Sequence, residues 1–326
     1  MAQTDTNILI GRLGSVGLAI ESAPGTANTT ASTYLNYTDI SMRGHHEPIE
    51  NIAAKTTRIM DKDSVIGKRW SEGDIEMLCD VWNAGYFWKL ALGNEIYTAG
   101  TPSDHLFYST VSGNTPLTAT LIQSRGTTDV EQYTYAAIDE LTFAVSDGLA
   151  TISASFQAQF PSTGAAQTVT TQSGTVLSFK DYFVQFGNTL TTALAATSTP
   201  LSEFNLTIAN NLEVIHRSGS SDVSAIRSKG IRVSGSYTLF FDSTNEREAY
   251  YKLTKQAMIL TASGINNEDL RIRLSRFRLN EAEVSTGLDD FYVVNCDFVA
   301  EDYIDPGTAT RLIDIRARNS KAAIYA

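Results

Sequence analysis

Cysteine is scarce: Cys79 and Cys296 are the two in 326 residues, one in each half and each inside an apolar run. Such thiols pack as small hydrophobes, and no disulfide framework is expected. No stretch approaches the ~18 apolar residues of a membrane-spanning helix. Met1–Asp5 carries no positive charge, and Ile8-Leu9-Ile10 is too short for the apolar core of a secretory leader. A protein made and assembled in a reducing cytosol is therefore expected. Positive charge is also short. Lys and Arg number 25 against 36 Asp and Glu, a net −11. The deficit is uneven, with 9 cationic and 18 acidic residues in 1–165 but 16 and 18 in 166–326. A nonspecific binder of nucleic-acid phosphates draws its affinity from Lys and Arg, so that class is disfavoured. An acidic surface instead keeps a protein soluble and repels polyanions.

Catalytic and metal-binding patterns are missing as well. The four histidines are His45, His46, His105 and His216. None pairs at helical i, i+4 spacing and none stands near a cysteine. His45 and His46 precede Glu47, but neighbours on an extended chain point to opposite sides, so a solvated loop is the better account. Asp61-Lys62-Asp63 begins like a calcium loop, yet Val65 and Ile66 fall where that loop needs an oxygen ligand and a glycine. There is no Gly-x-Ser-x-Gly elbow. Gly11-Arg12-Leu13-Gly14-Ser15-Val16-Gly17 lacks both dinucleotide spacing and a phosphate-loop lysine. No local pattern selects a pair of carboxylates for glycoside hydrolysis. No enzyme, metal site or cofactor is expected.

What is present is β-forming sequence, with 42% hydrophobic residues to build cores and a length that suits about two domains. Leu141, Phe143 and Val145 alternate with Thr142, Ala144 and Ser146; Asp147-Gly148 offers a turn; Ala150 to Gln157 resumes the period. That pattern predicts a hairpin. Phe204 to Ile208 and Ile231 to Phe241 predict further strands. Helical signals are few. Asp80 to Leu92 puts Val81, Ala84, Phe87, Trp88 and Ala91 on one face, with Gly93 as a stop. Ser243 to Gln256 offers Ser243 as cap, Glu246 three residues on, and Ala249, Tyr250 and Leu253 on a shared face.

Those helices expose an internal similarity. Gly67-Lys68-Arg69-Trp70-Ser71-Glu72-Gly73 and Gly230-Ile231-Arg232-Val233-Ser234-Gly235 share Gly, Arg, Ser and Gly if Glu72 is an insertion. A strand and then a helix follow each time, half a chain apart. Duplication is the reading adopted, with domains at 1–165 and 166–326 and a Ser/Thr/Gly/Gln-rich linker at 162–174. Residues 44–64 are expected to form a long polar loop, a kind usually functional or disordered. Pro24-Gly25-Thr26 marks a turn leading into an extended or mobile run. One basic element stands out. Arg271, Arg273, Arg276 and Arg278 share one strand face if a β-bulge sits at Ser275–Arg276. The stripe lacks exposed aromatics for stacking bases, so an acidic partner surface, in this chain or a neighbour, is preferred to nucleic acid.

Gly17 to Thr26, the Arg69–Gly73 cluster, the Glu140–Phe160 hairpin, and Leu201–Leu212 followed by Gly230–Phe241 together resemble the tail tube proteins of long-tailed bacteriophages. The resemblance implies a mainly β fold: two tandem β-sandwich or partly closed barrel tube domains, each with a flanking α-helix. It also implies a structural, non-enzymatic subunit of the virion tail. Copies would self-assemble into rings, trimeric and pseudo-sixfold if each chain carries two tube domains. Rings would stack into a conduit for DNA ejection, assembled in the host cytoplasm beside tape-measure, tail-tip and terminator proteins, with DNA passing unbound and no membrane involved. Candidate ring-stacking contacts are Pro24, Gly25, Thr26, His45, His46, Glu47, Lys55, Arg58, Asp61, Lys62 and Asp63. Candidate lumen acids are Glu72, Asp74 and Glu76. The competing readings are another virion tail or decoration protein, or a carbohydrate-binding β-sandwich. The last needs exposed aromatics, whereas Trp70, Trp82 and Trp88 are expected in the core.

Overall fold

The computed structural model describes residues 11–50, 64–109, 113–126, 129–146, 148–170, 174–242, 244–285, 291–301 and 311–325. The first half runs β1 (Ser15–Ile20), β2 (Thr33–Tyr34), β3 (Tyr37–Ile40), β4 (Arg43–Glu50), β5 (Ser64–Leu78), α1 (Ala84–Leu92), β6 (Gly93–Thr98), β7 (Ser103–Ser109), β8 (Ala119–Arg125), β9 (Asp129–Val145), β10 (Thr151–Ala158) and β11 (Ser162–Thr163). The second runs β12 (Tyr182–Gly187), α2 (Leu190–Leu194), β13 (Glu203–Ala209), β14 (Leu212–His216), β15 (Val223–Ser228), β16 (Arg232–Phe240), α3 (Asn245–Tyr251), β17 (Gln256–Ser263), β18 (Asp269–Ser285), β19 (Val293–Ala300) and β20 (Asp314–Asn319). The fold is mainly β. Its antiparallel sheets do not close into a barrel, and the helices lie on their flanks.

Two 17-residue strands organise the architecture. The first part of β9 pairs with β8 and its last part with β10. Likewise β18 pairs first with β17 and then with β19. Each strand changes its partners along its length, and extra residues inserted at the changes sharpen the local bend. On β9 the insertions fall at Thr134–Tyr135, where Tyr135 has φ 59°, and at Asp139. On β18 they fall at Ser275–Arg276 and at Asn280. The first β18 bulge lies where the arginine spacing required one.

Aligned on these bulges, β9 and β18 correspond residue by residue, Ala136 with Phe277 and Glu140 with Glu281. The pairing order follows. β1–β8–β9–β10–β5–β3/β4 in the first half is answered by β12–β17–β18–β19–β16–β13 in the second. The ladders then set Gly73 against Gly235. Both glycines have a packing reason. A Cβ at Gly73 would lie 2.6 Å from the Met42 backbone, and one at Gly235 would lie 2.1 Å from the Asn205 carbonyl oxygen. Glu72 is not an insertion in this alignment. The β5–β10 ladder runs from Ser71 to Leu78 without a shift, so Trp70 occupies the place of Arg232, and the Arg and Ser matches fall out of register.

The halves interlock. β13 pairs with the last part of β9, and β20 returns to lie between β18 and β7. One hydrophobic cluster runs through both, holding Phe87, Phe107, Phe143 and Phe156 together with Phe204, Phe277 and Phe298. Both cysteines are free and buried. The linker region is tied down too, Gly164 N–H bonding the Val130 carbonyl and Gln167 donating to the Thr29 carbonyl.

The first helix has the expected buried face and stop, but it starts at Ala84 rather than Asp80. Val81, Ala84, Phe87, Trp88 and Ala91 are buried, and Gly93 ends the helix in the left-handed region at φ 88°. In the turn ahead of it, the Asp80 carboxylate accepts from the N–H groups of Trp82 (2.9 Å) and Asn83 (2.5 Å). The second helix is shorter than Ser243–Gln256. Thr244 is its cap, Ser243 lies outside the described residues, and of the expected face Ala249 is buried while Tyr250 and Leu253 are exposed. The expected loop at 44–64 is corrected over 44–50, while 51–63 lie outside the described residues. Gly44–Glu50 belongs to β4 and pairs with Ser64–Ser71 of β5, because backbone pairing extends the hairpin although its side chains are polar.

Candidate functional site

Paired residues on antiparallel strands point to the same side. Following the ladders from β3/β4 through β5, β10, β9, β13, β16 and β19 to β18 therefore defines one continuous face. One row runs Asp39, Glu76, Ser153, Thr142, Thr207, Ser234, Val299, Arg278. Beside it lie Asp74, Ser155, Glu140, Ala209 and Arg232. Further rows add Glu72 with Gln157 and Arg43, Asn205 with Ser236, Asp297 and Glu281, and Glu203 with Thr238, Asn295 and Glu283. The opposite side chains, from Ile75 and Phe156 to Leu206, Tyr237 and Phe298, are buried in the core.

The exposed side is thus hydroxyl- and amide-rich and acidic. Asp39, Glu72, Asp74, Glu76, Glu140, Glu203, Glu281, Glu283 and Asp297 stand against Arg43, Arg232 and Arg278. The structure brings the three expected acids together on β5, where Asp74 and Glu76 are exposed and Glu72 half-buried. Glu72 accepts from the Trp70 indole N–H (3.3 Å) and lies 3.5 Å from His45 Nε2. The other acids of the face escaped sequence reasoning. Strand alternation marks each of them as outward, but nothing local says that strands of the two halves share one sheet.

His45 is not in a loop. It stacks on Trp70, with ring centroids 5.7 Å apart, and contacts Arg43 Nε at 3.2 Å. His46 and Glu47 follow on β4, which leads out along an arm where Ile49, Val65 and Ile66 are exposed. Lys55, Arg58, Asp61, Lys62 and Asp63 lie outside the described residues. The Pro24-Gly25-Thr26 turn is anchored by a buried carboxylate. Glu21 accepts from the N–H groups of Gly25 and Tyr135 (2.8 Å each) and from the hydroxyls of Thr118 (2.7 Å) and Thr120 (3.0 Å).

The four arginines of the stripe share a side, and each finds acid within its own half. Arg271 lies 4.0 Å from Asp269, Arg273 3.2 Å from Asp314, and Arg276 and Arg278 3.6 and 3.1 Å from Glu301. In this region Arg316 reaches the first half, on Asp104. Trp88 is buried; Trp82 packs on Tyr86 and Tyr325 beneath Lys321, so these rings form no exposed sugar platform. Among the described residues no group of three or more His, Cys, Asp or Glu is placed to hold a metal.

The densest polar network went unforeseen. Tyr325 is fully buried, its N–H donating to Glu95 (3.0 Å) and its hydroxyl to the Trp82 carbonyl (2.8 Å), while the Asn319 amide donates to that hydroxyl (2.7 Å). Glu95 also meets His105 Nδ1 (2.7 Å) and Lys89 Nζ (3.2 Å). Burial alone pushes the Glu95 carboxyl up, but His105, the Tyr325 N–H and Lys89 together hold it below the usual carboxylate value. This network closes α1 against β6 and β7. No short-range sequence pattern announces it, since its members lie up to 243 residues apart.

A sequence model of the phage tail tube protein family matches residues 11–300. No curated protein matches the chain.

Proposed function

Because the chain belongs to the phage tail tube protein family, a family of structural tail tube subunits found in the virion tail, we propose how this copy builds its tube. Each half acts as one tube domain, the two having arisen by duplication, and three chains close a pseudo-sixfold ring. Rings stack into a hollow conduit through which the genome is ejected, assembled in the host cytoplasm with tape-measure, tail-tip and terminator proteins. The observation that carries this reading is the acid-rich face running unbroken across both halves. Facing inward, Glu72, Asp74, Glu76 and their neighbours would line the bore with negative charge, which repels a polyanion and lets DNA slide without sticking. The repeated pairing order and the matched bulges support two equivalent domains per chain. The exposed Ile49, Val65 and Ile66 on the β4–β5 arm and the anchored turn at Pro24–Thr26 are the surfaces assigned to ring stacking, where exposed apolar side chains gain cover.

Negative-stain electron microscopy of the purified protein at several concentrations tests this. Hollow rings or tubes with threefold or pseudo-sixfold symmetry are expected. A native mass of six chains per ring would overturn the two-domain closure, and compact monomers at every concentration would overturn self-assembly.

A further inference from the structure

We infer that the neighbouring protomer docks its β3–β4 edge onto the open edge of β18, in the register that β13 takes on β9 within one chain. The inference rests on the ring reading above, and its partner is a second copy of this chain. Inside the chain, β13 fills the edge of β9 that β10 leaves free, with Phe204 opposite Val145 and Ala209 opposite Glu140. The end of that junction is pinned at the bulge, where Leu212 N–H bonds the Asp139 carboxylate at 2.7 Å. The matching stretch of β18, from Asn280 to Ser285, has β19 on one side and no strand on the other among the described residues. β3–β4, which corresponds to β13, pairs with β5 and likewise has no strand on its far side among the described residues; there the Met42 carbonyl accepts from the Tyr133 hydroxyl (3.2 Å), a side-chain bond that a docking strand would replace. An unpaired edge is a template for another strand, and these two are the counterparts of a junction the chain already makes.

The transferred register is also chemically complementary. It sets Arg43 of one copy opposite Glu283 of the next, His45 opposite Glu281, and Ser41 opposite Ser285. On the core side it sets Met42 opposite Val284 and Gly44 opposite Ala282. Opposite charges directly across antiparallel strands attract, and like charges there repel. Glu281 and Glu283 are exposed and join no ion pair among the described residues, while Arg43 is exposed beside His45. Val284 and Ala282 are partly buried against the core, and a covering strand would complete their burial. A slip of the docking strand by one residue would turn its Arg43 and His45 toward the core and away from both carboxylates.

The test is a disulfide scan on the full chain. Ser41→Cys with Ser285→Cys places two thiols across the inferred pair; Ser41→Cys with Glu281→Cys displaces them by four residues, roughly 13 Å along the strand. Cys79 and Cys296 are buried and stay silent. Under mild oxidation the first pair is expected to yield covalently closed oligomers on a non-reducing denaturing gel, and the displaced pair none. Rings visible by microscopy without a cross-link from the first pair, or with one from the displaced pair, would overturn the register and leave the tube reading standing. Monomers by microscopy in every variant and in the parent chain would overturn both. As a second readout, Arg43→Glu should weaken self-association at least tenfold, and adding Glu283→Lys should restore it.

Discussion

The two halves share a strand skeleton but not a packing environment. α1 and α3 follow equivalent strands and both pack on the long bent strand of their own half. α1 is buried on nearly all sides, whereas α3 buries Ala249 and leaves Tyr250 and Tyr251 exposed. The difference comes from what lies outside each helix. β6 and β7 cover α1, and the C-terminal segment after β20 returns to seal it with Tyr325. A recurring pairing order can therefore be held by ladders and bulges while the flanking layer is free to diverge. The first half is sealed by a lid drawn from the second, whose own helix presents an open surface.

The largest effect should separate the two helices. Phe87→Ala removes a fully buried ring of α1 and is expected to cost about 3–5 kcal/mol. Tyr251→Ala removes an exposed ring of α3 and is expected within about 0.5 kcal/mol of the parent. Urea denaturation of both variants checks this; equal losses would break the comparison. Next comes the lid. Tyr325→Ala deletes a buried ring and two hydroxyl hydrogen bonds far from any strand ladder, at an expected cost of about 3 kcal/mol. Hydrogen exchange should show the loss of protection concentrated in α1, β6 and β7, with α3 unchanged.

A smaller effect sharpens the equivalence itself. Gly73→Ala and Gly235→Ala each drive a Cβ into the strand next door, β3–β4 in one case and β13 in the other. Each should cost about 1–3 kcal/mol by overpacking, the first more because Gly73 has φ 155°, which L side chains rarely adopt. A neutral result at either position would detach the two glycines from a common role.

How far sequence led can be judged from the same elements. The β9–β10 hairpin, β13, β16, α1 and the Ser275–Arg276 bulge were legible because each is written in a local period: alternation, a stop glycine, or a phase slip that had to be absorbed. The proposed duplication has only a faint local trace in sequence. Gly73 and Gly235 do correspond, but the stronger mark, two bulges on each of two 17-residue strands, is a property of ladders and has no fixed residue code. β4 reads as loop in sequence because its side chains are polar on both faces, whereas backbone pairing needs no hydrophobic alternation. The three acids on β5 were found by alternation within one strand. Glu140, Glu203, Glu281, Glu283 and Asp297 join them through strand order across the halves, information that is absent from any window of sequence. The same is true of Glu95 and Tyr325.

The smallest expected effect is in pH dependence, and it has opposite sign in the two halves. Glu95 titrates below its ordinary value of 4.5 because its partners outweigh its burial. Its ionised form therefore stabilises the fold fully above about pH 4.5, and that contribution fades as pH falls through the lower folded value. Glu246, at the start of α3, is raised above 4.5 by burial and, less, by Asp242, even though its own backbone N–H favours the charge. Its ionised form opposes folding at neutral pH, and the opposition is relieved as pH falls through the raised value toward 4.5. Glu95→Gln should accordingly lower the urea midpoint at pH 7 and lower it less at pH 4. Glu246→Gln should leave the midpoint equal or higher at pH 7, and the gain should vanish at pH 4, where the parent's carboxyl is already taking up its proton. Two variants shifting in the same direction at pH 7 would mean that the carboxylates of the two helices sit in like surroundings, and that the contrast between a sealed first half and an open second half has no electrostatic counterpart.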